Sequence, residues 1–229
     1  MGLGYGSEFQ LMRFLGHHRN LLNKHIRNAV GAEEDASVEW LDYPFNSDNK
    51  SSGDGEWKKI ECFRDREDYE KIETEWKKYW PQSGNAMNWD GIFRIGDTWY
   101  FVEAKASKKE AHQSCNAKAD SPNRSIIKKA FTETISWLKS DESKEWINSD
   151  CYQLANRFAF IQFCEEVGID AKLLYISFCN DEKRKDNDYV SSKIEWEEIW
   201  KEEYEMLGID EDLLKGKLYH IYLDCLNGQ

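Results

Sequence analysis

Two acidic residues and a lysine lie in the two strands of a predicted β-hairpin, on either side of its turn. Residues 89–95 and 98–105 are two runs of aromatic and β-branched residues, with the dipeptide 96–97 as a two-residue turn between them. Asp90 lies near the start of the first run, and Glu103 and Lys105 lie at the end of the second. With the turn at this position, the antiparallel register places Asp90 opposite Glu103. Because side chains in a strand alternate between faces, Asp90, Glu103 and Lys105 are expected on one face.

This arrangement predicts a site for a hard divalent cation. Opposite residues in a sheet have Cβ atoms about 4.5–5.5 Å apart, so two facing carboxylates repel each other unless a cation lies between them. Lys105 supplies part of that charge, and Mg²⁺ or Mn²⁺ would supply the rest, because carboxylate oxygens are their preferred ligands. Such a metal can activate a water for attack on a phosphodiester. The alternative is an ordinary solvated sheet face with no metal.

The elements before the hairpin are predicted to be a helix and a strand. Residues 7–30 form an amphipathic pattern that begins with a capping box at Ser7 and Gln10, and Glu8 falls on the apolar stripe of this helix. Residues 38–43 alternate as a strand. Residues 46–83 are predicted to be an insertion that consists of a polar loop and a charged helix over 64–80.

The elements after the hairpin complete an α/β pattern. Helices are expected at 124–140, 149–167 and 192–207, a buried strand at 171–179 and a final strand at 218–223. The fold class is therefore α/β, with a central mixed sheet flanked by helices. We expect a single domain over 1–229, in which 180–229 is a C-terminal extension.

Two groups of residues are candidates for contact with a polyanion. The segment 106–129 contains six basic residues and only two acidic ones. The candidate substrate contacts in it are Lys108, Lys109, Lys118 and Arg124. An ordinary solvated loop has the same composition. In the helix at 149–167, Gln153 and Arg157 either support the sheet from behind or reach the phosphate that is cleaved.

The composition limits the classes of function. The net charge of −12 over 229 residues argues against a surface coated by nucleic acid, so a polyanion has to bind locally. No apolar run is long enough to span a bilayer, and the first residues do not resemble an export signal. The six cysteines lack Cys-x-x-Cys spacing and are expected as buried thiols of a reducing compartment, which favours the cytoplasm.

The sequence from Asp90 through Glu103-Ala104-Lys105 resembles the bipartite motif of PD-(D/E)XK nucleases, which have the restriction-endonuclease-like fold. The resemblance covers about residues 7–179 without the insertion, and Trp89 replaces the proline that is frequent before the aspartate. It implies an αβββαβ core, metal ligands at Asp90 and Glu103, a catalytic lysine at Lys105 and an auxiliary carboxylate at Glu8. It also implies Mg²⁺ or Mn²⁺ as cofactor and DNA as the substrate.

Two alternatives remain open from the sequence. Glu8 also suits the first turn of any helix, where an acid interacts favourably with the helix dipole. The whole chain could instead be a catalytically inactive interaction protein on the same scaffold. Tryptophans at one-turn spacing in two helices would then contact a protein partner or a second copy of the chain, namely Trp76 with Trp80 and Trp196 with Trp200.

Overall fold

A five-stranded mixed sheet forms the centre of the molecule. The computed structural model describes residues 4–43, 56–84, 87–115, 117–118, 120–182 and 188–227. In the described chain the strand order is β1-β4-β5-β6-β7, and β2 pairs with β3 in a separate two-stranded sheet. The strands are β1 (Glu39–Trp40), β2 (Trp57–Lys58), β3 (Asn88–Trp89), β4 (Gly91–Ile95), β5 (Thr98–Lys105), β6 (Ala171–Cys179) and β7 (Leu218–Asp224).

Helices flank this sheet on both faces. They are α1 (Ser7–His17), α2 (Arg19–Val30), α3 (Tyr69–Tyr79), α4 (Lys108–Ala111), α5 (Pro122–Leu138), α6 (Tyr152–Glu166) and α7 (Lys193–Leu207). The predicted α/β class with a mixed sheet flanked by helices is confirmed. None of the described helices is long and apolar enough to cross a membrane.

The hairpin has the register that the turn predicts. Ile95 pairs with Thr98 and Gly91 with Val102, and Gly96 has the positive φ of 59° that this tight turn requires. Strands β1, β4 and β5 are antiparallel, whereas β5, β6 and β7 are parallel. The parallel pairs place the C-terminal ends of β5 and β6 at the same edge of the sheet.

Each face of the sheet has its own core. Helices α3, α5, α6 and α7 cover one face, where Phe101 of β5 contacts Phe160 of α6 with ring centroids 4.7 Å apart. Helices α1 and α2 cover the other, where Leu22 packs with Val102 and Leu174. Strand β6 is therefore buried on both sides, as its continuous apolar sequence predicts.

The prediction of one helix over 7–30 is wrong. The helix breaks at His18, whose φ is −131°, and α1 and α2 are separate. The capping box is also absent, because the side-chain amide of Gln10 donates to buried Asp181 at 2.9 Å instead of reaching back along the helix. A buried carboxylate needs donors, and this need outweighs the local cap. Glu8 is exposed, so it does not share the buried stripe of α1.

The segment predicted as an insertion contributes to the main core. Its helix covers only Tyr69–Tyr79, because residues 64–68 form turns. The polar loop was predicted over 46–56, and all of it except Glu56 lies outside the described residues. Trp76 and Trp80 are buried with stacked rings, and so are Trp196 and Trp200 of α7. All four tryptophans of the predicted interaction surface are therefore core residues.

Two strands also differ from the predicted ranges. The strand expected over 38–43 is reduced to Glu39–Trp40. The strand expected over 89–95 is interrupted at Asp90, since β3 pairs with β2 and only β4 belongs to the main sheet. The interruption matters because Asp90 is a predicted site residue.

Candidate functional site

A cleft of about 980 Å³ lies beside the C-terminal end of β5. Strand β5 brings Glu103 and Lys105 to its wall, the junction of β3 and β4 brings Asp90, and α6 brings Gln153 and Arg157. The structure thus assembles five of the residues that the sequence singled out. They come from segments far apart in the chain.

Glu103 lies at the centre of a buried network. Its Oε1 accepts hydrogen bonds from Lys105 Nζ at 2.7 Å and from Gln153 Nε2 at 2.8 Å. Its Oε2 accepts from Arg157 Nε at 2.8 Å, and Arg157 Nη2 lies 2.7 Å from the same oxygen. Burial alone would raise the pKa of Glu103, but the charges of Arg157 and Lys105 and their hydrogen bonds lower it. Glu103 is therefore ionised at neutral pH although it is only 2% exposed.

Arg157 is held in place by three further contacts. Its guanidinium lies 4.5 Å from the centre of the Trp89 ring, and it donates to the carbonyl of Asn88 and to Asn156 Oδ1. The side chain therefore ties α6 both to Glu103 and to the segment just before Asp90. These contacts are the ones expected of a residue that supports the sheet, and Arg157 also lines the cleft.

Lys105 connects the sheet to α6. Its ammonium lies between Glu103 Oε1 and Gln153 Oε1, at 2.7 and 2.6 Å, and the side chain is 4% exposed. These two hydrogen bonds leave one donor of the ammonium unused among the described residues. That donor is available to a bound phosphoryl oxygen or water.

Asp90 occupies the break between β3 and β4. Its Oδ2 accepts from the Ala104 amide at 2.7 Å, its amide donates to Val102, and the Tyr43 hydroxyl donates to its carbonyl. Burial, with a further contribution from the charge of Glu103, raises the pKa of Asp90 to about 7, although Lys105 acts in the opposite direction. Asp90 is therefore the carboxylate whose charge is not compensated in this site.

The two carboxylates repel each other as predicted, but cationic partners compensate the charge of Glu103 and not that of Asp90. Arg157 of α6, which lies outside the hairpin, neutralises the charge of Glu103 together with Lys105. A carboxylate has about four lone-pair positions, and Glu103 accepts three hydrogen bonds and has a further ion-pair contact with Arg157 Nη2. In contrast, no described residue hydrogen-bonds to Asp90 Oδ1, which is available as a ligand.

The donor chemistry fits a hard cation only in part. Asp90 and Glu103 are suitable ligands for magnesium, which retains several waters and needs only one or two carboxylates. Glu103 would have to release one of its donors to bind directly. Among the described residues no group of three or more His, Cys, Asp or Glu side chains is placed to hold a metal.

The remaining predicted site residues are not among those that line the cleft. Ser7 lines the cleft, but Glu8 does not. None of Lys108, Lys109, Lys118 and Arg124 lines the described cleft. Lys108 forms an ion pair with Glu202 at 3.2 Å, and Arg124 donates to the Ala117 carbonyl at 3.1 Å and to Asn148.

The sequence analysis did not identify three features of the site. Tyr43 contacts the backbone of Asp90, and Lys58 lines the cleft from β2. Glu203 on α7 is fully buried, and its Oε1 lies 3.9 Å from His112 Nε2. The alternation of charged and aromatic residues over 56–58 is a weak signal for Lys58, whereas nothing separates Glu203 from the other acids of α7.

Comparison of the chain with protein-family models, curated proteins and solved structures finds no match. The geometry of the cleft and the resemblance of its motif are therefore the two indications of function.

Proposed function

We propose that the protein is a nuclease that uses Mg²⁺ or Mn²⁺ to hydrolyse phosphodiester bonds, with DNA as the substrate. The observation that carries the proposal is the meeting of Asp90, Glu103 and Lys105 at one cleft. The buried, unreactive setting of four of the six free thiols fits a reducing compartment such as the cytoplasm.

The order of the helices and strands supports the resemblance to PD-(D/E)XK nucleases. Helix α1 precedes an antiparallel set β1-β4-β5, and helices α5 and α6 lead to β6, parallel to β5. This is the order expected of an αβββαβ restriction-endonuclease-like core. The acidic residues and the lysine would then occupy the positions that the motif assigns to them.

The residues of the chain have distinct roles in this mechanism. Asp90 Oδ1 and Glu103 would hold the metal, which would supply Lewis-acid stabilisation of the phosphoryl oxygens and lower the pKa of a water. Lys105 directs its unused donor at the developing negative charge or at that water. Arg157 keeps Glu103 ionised and oriented.

Cleavage assays test this proposal directly. Plasmid and single-stranded substrates are incubated with magnesium, manganese or a chelator. We expect metal-dependent cleavage, and replacement of Lys105 by Ala should lower the rate at least about a hundredfold while the far-ultraviolet circular dichroism is retained. Lys128→Ala is the matched control, because Lys128 is exposed on α5 and does not line the cleft. An unchanged rate in Lys105→Ala contradicts the assignment.

A second candidate function follows from one observation. Glu103 accepts three hydrogen bonds from protein donors and forms ion pairs with Lys105 and Arg157, as expected of a structural network in an inactive scaffold that binds a partner. This reading predicts no cleavage of any substrate with either metal, and no change in melting temperature on addition of either metal.

A further inference from the structure

The cleft carries more negative than positive formal charge. Its lining includes the acidic residues Glu56, Asp90, Glu103 and Glu110 and the basic residues Lys58, Lys105 and Arg157. A phosphodiester is repelled by such a lining unless a cation is free to pair with it. Binding of a phosphodiester therefore needs one of the three basic side chains to be free of ion pairs within the protein.

Two of the three are already engaged. Lys105 and Arg157 are both buried and hold Glu103 at 2.7–2.8 Å. Lys58 is exposed, and its ammonium forms neither an ion pair nor a hydrogen bond with any residue of the described chain. Lys105 keeps one unused donor, which the proposed mechanism directs at the phosphate that is cleaved. Lys58 is the basic residue of the described cleft lining whose ammonium has all three donors free to pair with another phosphate.

Lys58 is also fixed relative to the carboxylates. It pairs with Asn88 in the β2-β3 ladder, two residues before Asp90. Directly opposite residues in an antiparallel pair point to the same face, and both of these side chains line the cleft. The backbone of the following residue, Lys59, stabilises this ladder. Its amide donates to the Met87 carbonyl at 2.7 Å, and its carbonyl accepts from the Trp89 indole at 3.2 Å.

We propose that Lys58 binds a phosphate adjacent to the one that is cleaved and so positions the nucleic-acid backbone along the cleft. This inference rests on the proposed nuclease function and names the binding contact for the substrate. A lysine ammonium pairs with a phosphate as a point charge, without reading base sequence. Lys108, Lys109 and Lys118, which do not line the cleft, are not needed for this contact.

The test measures binding of fluorescently labelled DNA oligonucleotides, single-stranded and duplex, with calcium present to limit cleavage. Affinity is measured against salt concentration for wild type, Lys58→Ala, Lys58→Arg and the control Lys128→Ala. One phosphate contact contributes about 0.7 to 0.9 to the log–log salt slope, so Lys58→Ala should lose that slope and bind about 5–10-fold more weakly near 0.1 M salt. Lys58→Arg should retain most of the affinity, and Lys128→Ala should match wild type.

Catalysis separates this role from a chemical one. In Lys58→Ala we expect KM to rise by about the same factor as Kd, with kcat at saturating substrate nearly unchanged, because the contact is uniform between ground state and transition state.

Each contrary result has a distinct meaning. If wild type binds DNA and Lys58→Ala binds it equally well, the role of Lys58 is wrong and the nuclease proposal stands. The same holds if the triple variant Lys108→Ala, Lys109→Ala, Lys118→Ala loses slope and Lys58→Ala does not. If wild type neither binds nor cleaves any oligonucleotide, the nuclease proposal fails, and the inference fails with it.

Discussion

Glu203 makes a sharp prediction about the pH dependence of stability. The side chain is fully buried in α7, and neither carboxylate oxygen has a hydrogen-bond partner among the described residues. Burial raises the pKa of Glu203 from 4.5 to about 8, although the charge of Lys105 acts in the opposite direction. At neutral pH the folded protein therefore holds a proton on Glu203 that the unfolded chain releases.

The sign and size of the effect follow from linkage. Between the unfolded pKa of 4.5 and the folded pKa of about 8, the folded state binds more protons, so the free energy of unfolding falls as the pH rises. The stabilisation is fully present below about pH 4.5 and is lost as the pH rises through the folded pKa. One pKa unit corresponds to about 1.4 kcal/mol, so the total loss attributed to Glu203 is about 3 to 5 kcal/mol.

The assay is urea unfolding at about pH 5 and about pH 8. Glu203→Gln keeps a neutral, similarly sized side chain and should remove most of this decline, which makes the variant more stable than wild type at the higher pH. Asp90, whose pKa is also raised, acts in the same direction in both proteins and cancels in the comparison.

Glu202→Gln is the matched control for Glu203→Gln. It makes the same chemical change one residue earlier, at an exposed side chain that pairs with Lys108. It should follow the wild-type pH dependence. The reasoning is refuted if Glu203→Gln declines with pH as steeply as wild type, or if the two variants behave alike.

Two further predictions concern the cleft. Asp90→Asn removes the uncompensated charge, so its melting temperature in chelator should equal or exceed that of wild type. For a site of about 1 mM affinity, about 10 mM magnesium should raise the free energy of unfolding of wild type by about 1.4 kcal/mol and its melting temperature by about 3–5 °C. The same magnesium concentration should change neither quantity appreciably in the variant. A full response in Asp90→Asn would contradict the role of Asp90 in metal binding. Arg157→Met leaves Glu103 buried with less compensation and should destabilise the fold by about 3–5 kcal/mol in urea unfolding, more than an exposed-pair variant such as Lys129→Met. A loss equal to that of the exposed pair would show that Arg157 does not stabilise Glu103.

The sequence predicts the hairpin and the elements that carry the site because their signals are local. A two-residue turn determines which residues pair, and the pairing brings Glu103 and Lys105 to the face that also holds Phe101. Strand β6 is recognisable because a continuous apolar run fits a strand that is buried on both sides.

The sequence does not predict interactions between distant segments. The break at His18 accompanies a contact between Gln10 and Asp181, which are 171 residues apart in the chain. In the same way, the compensation of Glu103 by Arg157 depends on how α6 packs on the sheet. A local pattern cannot indicate which of several polar residues receives a buried partner, because that choice is made by tertiary packing.

The network around Glu103 also indicates how a metal could enter the site. Of its donors, Lys105 and Arg157 are charged, and removal of either would leave a buried carboxylate with less compensation. Gln153 is neutral, lines the cleft, and donates to Glu103 Oε1 from a half-buried position. Displacement of Gln153 would lose its hydrogen bond to the ionised Glu103 and the one that it accepts from Lys105. It would leave both charged partners of Glu103 in place and allow a cation to pair with the carboxylate, so Gln153 is the donor whose displacement costs least. The place of the Gln153 amide beside Glu103 Oε1 is therefore the position that the proposed metal would take.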